Sequence, residues 1–447
     1  MGSTAYYVLL LILAVALLLF LIIKVKLHAF VSLLLVSIIT AVAAGMPIDT
    51  IMRTIEKGMG GTLGFIAVVV GLGAMLGKML EISGGAERLA KTLLKVFGKE
   101  RAPWAMVIAG FIVSIPVFFD VGFIILVPLV YSLAKETKKS LLHYGIPLLA
   151  GLAVTHAFVP PTPGPVAVAN LVGADLGKVI LVGILCGIPA AICAGPLFGK
   201  YIGKKIYAEV PEYLDMDEAA ITKDDDKLPS FGLIISLILI PLVLILLNTA
   251  SGIILPEESM AKKVIGFIGH PFSALIIAVI LSFITLGKFK GLSRDEVNKV
   301  ATSALAPAGM IILVTGAGGV FKQVLVDSSI GTMLAEKLAG SSLNPIILAF
   351  LIAAVVRVAA GSATVAMMTA GGIIAPLLAG VDVEPALIVI AIASGATVLS
   401  HVNDSGFWLV NRYFGISEKD TLRSWTVMET IIGVVGLIVA LILSIFM

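Results

Sequence analysis

The stretch Thr155-His156-Ala157-Phe158-Val159-Pro160-Pro161-Thr162-Pro163-Gly164-Pro165 lies inside an apolar run from 143 to 170 that is long enough to cross a bilayer. Four of the six positions from 160 to 165 are proline. Proline lacks an amide donor and its ring collides with the carbonyl one turn back, so no regular helix runs through this segment. Backbone groups freed at membrane depth are tolerated only where they line a cavity or lie buried in protein. The segment therefore predicts a broken transmembrane helix beside a polar cavity.

The rest of the chain agrees with a membrane setting. Its 447 residues are 59% hydrophobic and 13% charged, where a soluble domain carries about 25% charged residues. That much apolar surface has to face lipid. A net charge of +3, spread between apolar runs, excludes a nucleic-acid partner. Cys186 and Cys193 would sit about 10.5 Å apart along one helix, too far for a disulfide within it, and read as packing or lipid-facing residues. The first apolar run, 5 to 23, has no basic leader and no small-residue cleavage site before Lys24, and reads as a span rather than a signal peptide.

The expected fold is an all-α polytopic membrane protein with about ten transmembrane helices and two re-entrant hairpins, arranged as inverted repeats. The N-terminal half covers 1–199, with a hairpin at 104–134 and the broken helix at 143–170. A cytoplasmic linker covers 200–229. The C-terminal half covers 230–447, with a hairpin at 345–380 and a second broken helix at 385–410. Charge sets the orientation, because cytoplasmic loops accumulate Lys and Arg. With both termini outside and both hairpins returning to the side they entered, 23 of the 31 basic residues fall inside and 7 outside, with Arg357 inside the second hairpin. A faint repeat at an offset of 245 supports the two halves: Gly71-Leu72-Gly73 falls on Gly316-Ala317-Gly318, Leu89-Ala90 on Leu334-Ala335, and Thr155-His156 on Ser400-His401. The Gly71 to Gly77 string lacks the spacing of a dinucleotide loop and reads as close helix packing.

Polar residues are concentrated at the four discontinuities. The first hairpin tip carries Asp120; the first broken helix carries Thr155, His156 and Thr162. The second tip carries Ser362 and Thr364, and the second broken helix carries Ser400, His401, Asn403, Asp404 and Ser405. Ionisable groups inside hydrocarbon are costly and mark function by default. A half-helix N-terminus with free amides and hydroxyls suits a carboxylate, and the hydroxyl, amide and imidazole groups suit substrate hydroxyls. Structural roles compete at each position: Asp120 and Asp404 as caps of the helices that follow, His156 and His401 as hydrogen bonders within the bundle, Arg357 as the partner of an acidic residue. No nucleotide loop of the G-x-x-x-x-G-K-[ST] type, no metal-ligand cluster and no G-x-S-x-G elbow occurs, so no cofactor is expected and the chain does not read as an enzyme.

The tip Phe118-Phe119-Asp120-Val121-Gly122-Phe123, the 155–165 segment and Ser400-His401-Val402-Asn403-Asp404-Ser405-Gly406-Phe407-Trp408 resemble the gluconate permease family, proton symporters within the larger ion transporter superfamily. The resemblance extends over essentially the whole chain. It implies import of gluconate or a related sugar acid with protons across the bacterial cytoplasmic membrane, among lipids and compatible with a homodimer. Members also carry D-serine and other hydroxylated carboxylates, so another such substrate is the alternative; a passive anion channel is the rival outside the class. On this reading Thr155, His156, Thr162, Ser362, Thr364, Ser400, His401, Asn403 and Ser405 contact substrate, while Asp120 and Asp404 handle the proton. Sodium-coupled relatives carry Ser-Asn-Thr at both tips, whereas these tips read Phe119-Asp120-Val121 and Ser362-Ala363-Thr364, a departure that argues against sodium.

Overall fold

The computed structural model describes residues 4–211, 227–330, 333, 343–378, 381–402 and 404–447. Its helices are α1 (Thr4–Ile23), α2 (Ala29–Ala43), α3 (Ile48–Ser83), α4 (Gly85–Phe97), α5 (Ala102–Val113), α6 (Phe119–Thr137), α7 (Leu142–Phe158), α8 (Pro163–Val172), α9 (Leu176–Ile192) and α10 (Phe198–Lys205). The second half holds α11 (Phe231–Ile254), α12 (Met260–Ile268), α13 (Pro271–Phe289), α14 (Arg294–Asp327), α15 (Pro345–Ala360), α16 (Ala363–Ile374), α17 (Pro385–Gly395), α18 (Ser405–Phe414), α19 (Glu418–Thr421) and α20 (Val427–Leu443). No strand occurs among the described residues. Seven helical segments there are long and apolar enough to cross a membrane: 48–83, 142–172, 176–205, 231–254, 271–289, 308–327 and 418–443. The expected crossing at 5–23 falls within α1, an apolar helix of 20 residues, while those at 29–46 and 385–410 are built from shorter helices.

The offset of 245 found in the sequence recurs in the architecture. It carries α3 onto 293–328, against α14 at 294–327, and α5 onto 347–358, within α15 at 345–360. It carries the start of α6 to 364, against 363 for α16, and the start of α7 to 387, against 385 for α17. The Leu334-Ala335 match lies outside the described residues, as does half of the linker, 212–226. The linker's end is held by Arg88 of α4, whose Nε donates to the carbonyl of Pro229 at 2.8 Å.

The scaffold is the pair α3 and α14, about 54 and 51 Å long at 1.5 Å per residue. They run against each other, and Thr54 Oγ1 donates to Asp327 Oδ2 at 2.9 Å where they end together. The glycine string of α3 faces the first hairpin: a methyl on Gly77 would lie 2.1 Å from the carbonyl oxygen of Pro116. The hairpin leg α5 crosses α7 just as closely, since a methyl on Gly110 would meet Leu148 O at 2.4 Å and one on Gly151 would meet Val107 O at 2.2 Å. Such backbone contact is the packing that small residues allow between membrane helices.

The first legs of the hairpins are short. At 12 and 16 residues, α5 and α15 span about 18 and 24 Å, less than a ~30 Å hydrocarbon core. Each then turns, through Ser114–Phe118 and through Gly361-Ser362. Gly361 has φ +74°, a left-handed conformation that closes α15 at little cost only for glycine. Burial separates core from lipid: 89% of the apolar window in 142–172 is buried, against 33% in 231–254, where Leu239, Val243, Leu247 and Ile253 are exposed. The broken helix is thus enclosed by the bundle, as unpaired backbone in a membrane must be.

Candidate functional site

Both hairpin tips and both broken helices open onto one cavity of about 520 Å³. Phe118, Phe119, Asp120 and Val121 come from the first tip, His156 and Ala157 from α7, Arg357 from α15, and Gly361 to Thr364 from the second tip. Asp404, Ser405 and Gly406 come from the head of α18, Thr397 from the turn after α17, and Trp425 and Glu429 from the last helical segment. The volume lies within the range of about 300–1,000 Å³ typical of small-molecule sites.

Arg357 is the anchor of this cavity. It is 2% exposed, and its Nη2 donates to Asp404 Oδ2 at 2.5 Å. Its Nη1 donates to the carbonyl of Gly361, while its buried Nε has no partner among the described residues. The guanidinium therefore holds its own hairpin turn and the next broken helix together. Asp404 is occupied further: Oδ1 accepts from the amide of Gly406 at 3.1 Å and Oδ2 accepts from Ser400 Oγ at 2.5 Å. The capping role open to Asp404 in the sequence is realised, as is the acidic partner for Arg357. Asp120 differs. It sits in the first turn of α6, where a negative charge suits the helix N-terminus, but its carboxylate caps nothing and is exposed to the cavity.

Ser362 Oγ accepts from the amide of Val365 at 3.3 Å and so caps α16 at the cavity wall, beside Thr364. His156 lines the cavity, and its buried Nδ1 has no partner among the described residues; its ring meets Phe118 edge-on with centroids 6.5 Å apart. Ser405 also lines the cavity.

Four expected contacts are placed elsewhere. Thr155 is buried, and its Oγ1 donates to the carbonyl of Phe111 at 2.8 Å. Thr162 donates to Val159 O at 2.6 Å and faces a small void beside Pro116 rather than the large cavity. Ser400 is buried between Asp404 and Trp425, whose Nε1 donates to its Oγ at 2.7 Å. His401 Nε2 lies 3.1 Å from the carbonyl of Val358. Thr155 and His401 thus perform equivalent work in the two halves, each bonding a carbonyl near the end of a hairpin leg that its own helix no longer satisfies. Asn403 lies outside the described residues.

Glu429 and Trp425 carry weight that the polar segments did not announce. Glu429 is 4% exposed, the third residue of α20, and follows a π-helical turn at Leu422–Thr426. An acidic residue inside the apolar run 426–446 is itself the signal that would have found it. Trp425 meets Phe119 in a tilted ring contact with centroids 5.4 Å apart, which ties the first tip to this segment. No group of three or more metal-ligating side chains is found among the described residues.

The profile of the GntP family permeases matches residues 6–446. A gluconate permease of Pseudomonas aeruginosa is 42% identical to this chain, covering 99% of each. The low-affinity gluconate transporter of Escherichia coli K12 is 45% identical over 96% of each chain, and the Gnt-II system L-idonate transporter of the same strain is 40% identical over 95% of this chain and 96% of that one. Among solved structures, the YdaH transporter of Alcanivorax borkumensis superposes with a TM-score of 0.63 at 14% identity, covering 90% of each chain. MtrF of Neisseria gonorrhoeae gives 0.64 at 14% identity, covering 89% of this chain and 85% of that one. At that identity the likeness is one of fold.

Proposed function

This chain belongs to the GntP permease family, and from that membership we propose that it imports gluconate by proton symport across the bacterial cytoplasmic membrane. The observation that carries the reading is the charge inventory of the cavity: one guanidinium, Arg357, stands among three carboxylates, Asp120, Asp404 and Glu429. A cavity with that excess of acid admits an organic anion only when protons come with it. Arg357, the hydroxyls of Ser362, Thr364 and Ser405, and the free imidazole nitrogen of His156 supply the donors that a carboxylate and a row of hydroxyls require.

The energetics point the same way. Moving one negative charge inward against a negative-inside potential costs about 2.3 kcal/mol per 100 mV. One accompanying proton cancels that charge and leaves the pH gradient as the driving force. Asp404 serves here mainly by fixing Arg357, and Asp120 is the carboxylate most open to protons from the cavity. The positive-inside distribution favours both termini outside and the two halves as inverted repeats around this site.

The test is uptake of radiolabelled gluconate into proteoliposomes under an imposed pH gradient. Accumulation that follows the proton gradient is expected. Uptake that follows sodium and ignores protons, or equilibration without accumulation, overturns the reading. The L-idonate transporter at 40% identity favours one second reading, a related sugar acid as the principal substrate; competition of gluconate uptake by L-idonate, D-serine and shorter hydroxy acids ranks the choices.

A further inference from the structure

Resting on that reading, we propose that Glu429 is the coupling residue: it carries the transported proton and links it to substrate through Arg357. No acidic or basic residue other than Glu429 follows Arg423 in the chain, and it is placed on the wall of the cavity of about 520 Å³ onto which both hairpin tips open. Its carboxylate receives no hydrogen bond among the described residues. A structural role at a helix end does not account for it, because α19, the π turn and α20 form one continuous helical segment with no free amides at position 429. An acid placed at such a cost, with no cap and no ion pair of its own, is placed to titrate.

The groups facing it define the coupling. Arg357 of α15 and Asp404 ahead of α18 act on it electrostatically across the cavity, and Asp120 of α6 and His156 of α7 complete the titratable lining. Helix α17 contributes no charge, and the one charged residue of α9, Lys178, is paired with Glu384 at 2.7 Å. On its own segment Arg423 turns to Asp420 and is exposed. Among the described residues Glu429 thus has one cation acting on it, Arg357, already shared with Asp404. With Glu429 ionised, two carboxylates draw on that guanidinium and an incoming substrate carboxylate meets a wall of its own sign. With Glu429 protonated, Arg357 has charge and an unused Nε to offer the substrate. Proton and anion therefore favour each other's binding, which is the reciprocity that symport requires.

The experiment compares wild type, Glu429→Gln and Glu429→Asp in proteoliposomes. Two readouts are taken: accumulation of gluconate under an inward proton gradient, and exchange of internal for external gluconate with no gradient. For each coupled proton a one-unit pH gradient sustains about tenfold accumulation. E429Q is expected to lose that accumulation yet still exchange, with an exchange rate that no longer falls from acidic to alkaline buffer as it does in wild type. E429D, which keeps the carboxylate, is expected to retain coupled accumulation at a lower rate. E429Q that accumulates as wild type does, or whose exchange keeps the wild-type pH dependence, overturns the proposal. If E429Q is lost to misfolding, E429D decides: monodisperse E429D that exchanges without accumulating overturns it also, while coupled E429D supports it. Wild-type vesicles that move no gluconate would instead sink the functional reading itself.

Discussion

Arg357 and Asp404 meet at 2.5 Å, Nη2 to Oδ2, with side-chain exposures of 2% and 13%. The pair joins the turn of the second hairpin to the head of the second broken helix, two discontinuities that regular hydrogen bonding leaves unsupported. It fixes where the cavity's single cation points, so substrate geometry depends on a contact the substrate need not touch.

Breaking that pair from one side strands a buried charge, a loss of roughly 3–5 kcal/mol. Arg357→Gln and Asp404→Asn should each abolish gluconate uptake and lower the unfolding temperature in detergent. The double variant R357Q/D404N should be more stable than the sum of the single losses, though still inactive. Single variants that unfold at the wild-type temperature would show the pair to be energetically idle.

Ser400 and Thr364 separate support from contact. Ser400→Ala removes the acceptor of the Trp425 indole and one donor to Asp404, and an unsatisfied buried group costs roughly 1–3 kcal/mol. A lower unfolding temperature with a modest change in KM is expected. Thr364→Val leaves the cavity wall in shape and removes one hydroxyl, so KM should rise while the unfolding temperature holds. The opposite pattern in the two variants would reverse these assignments.

Much of this arrangement is legible from residue types because membranes make polarity expensive. The prolines at 160–165, Asp120 and the Ser400 to Gly406 segment stand out against apolar surroundings, and all belong to discontinuities. What residue types do not carry is direction. Thr155 and Ser400 fall on corresponding positions and look like substrate ligands, yet both turn inward to bond backbone or neighbouring side chains. Rotation about a helix axis decides that, and in helices buried on all sides no amphipathic stripe reveals the rotation. Glu429 is legible in another way: one acid in a long apolar run barely changes its hydropathy, so it is found by asking why a charge stands there, and its three-dimensional neighbours then say what it faces.

Gly77 is a packing prediction independent of the site's chemistry. A methyl there would lie 2.1 Å from the carbonyl oxygen of Pro116, at the base of the first tip. Overpacking of this kind costs roughly 1–3 kcal/mol, and here the atom that must give is backbone. Gly77→Ala should reduce both thermal stability and uptake by displacing Asp120. Gly60→Ala, on the same helix with nothing within 4 Å of the added methyl, should be neutral or slightly stabilising, because alanine suits a helix better by about 1 kcal/mol. Equal behaviour of the two variants, read by uptake and unfolding temperature, would mean that α3 does not set the position of the tip.

His156 offers the sharpest test of substrate chemistry. Its Nδ1 is buried without a partner among the described residues, in a side chain that lines the cavity, and leaving such a group unpaired costs roughly 1–3 kcal/mol. A substrate hydroxyl that meets it recovers that cost, whereas a short acid that fails to reach it does not. His156→Phe keeps an aromatic ring beside Phe118 and deletes both ring nitrogens. The variant should lose about tenfold in apparent affinity for gluconate, equivalent to about 1.4 kcal/mol. It should lose little thermal stability, since no protein hydrogen bond disappears from Nδ1. Inhibition of uptake by lactate, which has one hydroxyl in place of five, should be nearly unchanged, so the preference for the long sugar acid narrows. Equal losses for gluconate and lactate would place His156 on the carboxylate instead, and an unchanged gluconate affinity would remove it from the binding site altogether.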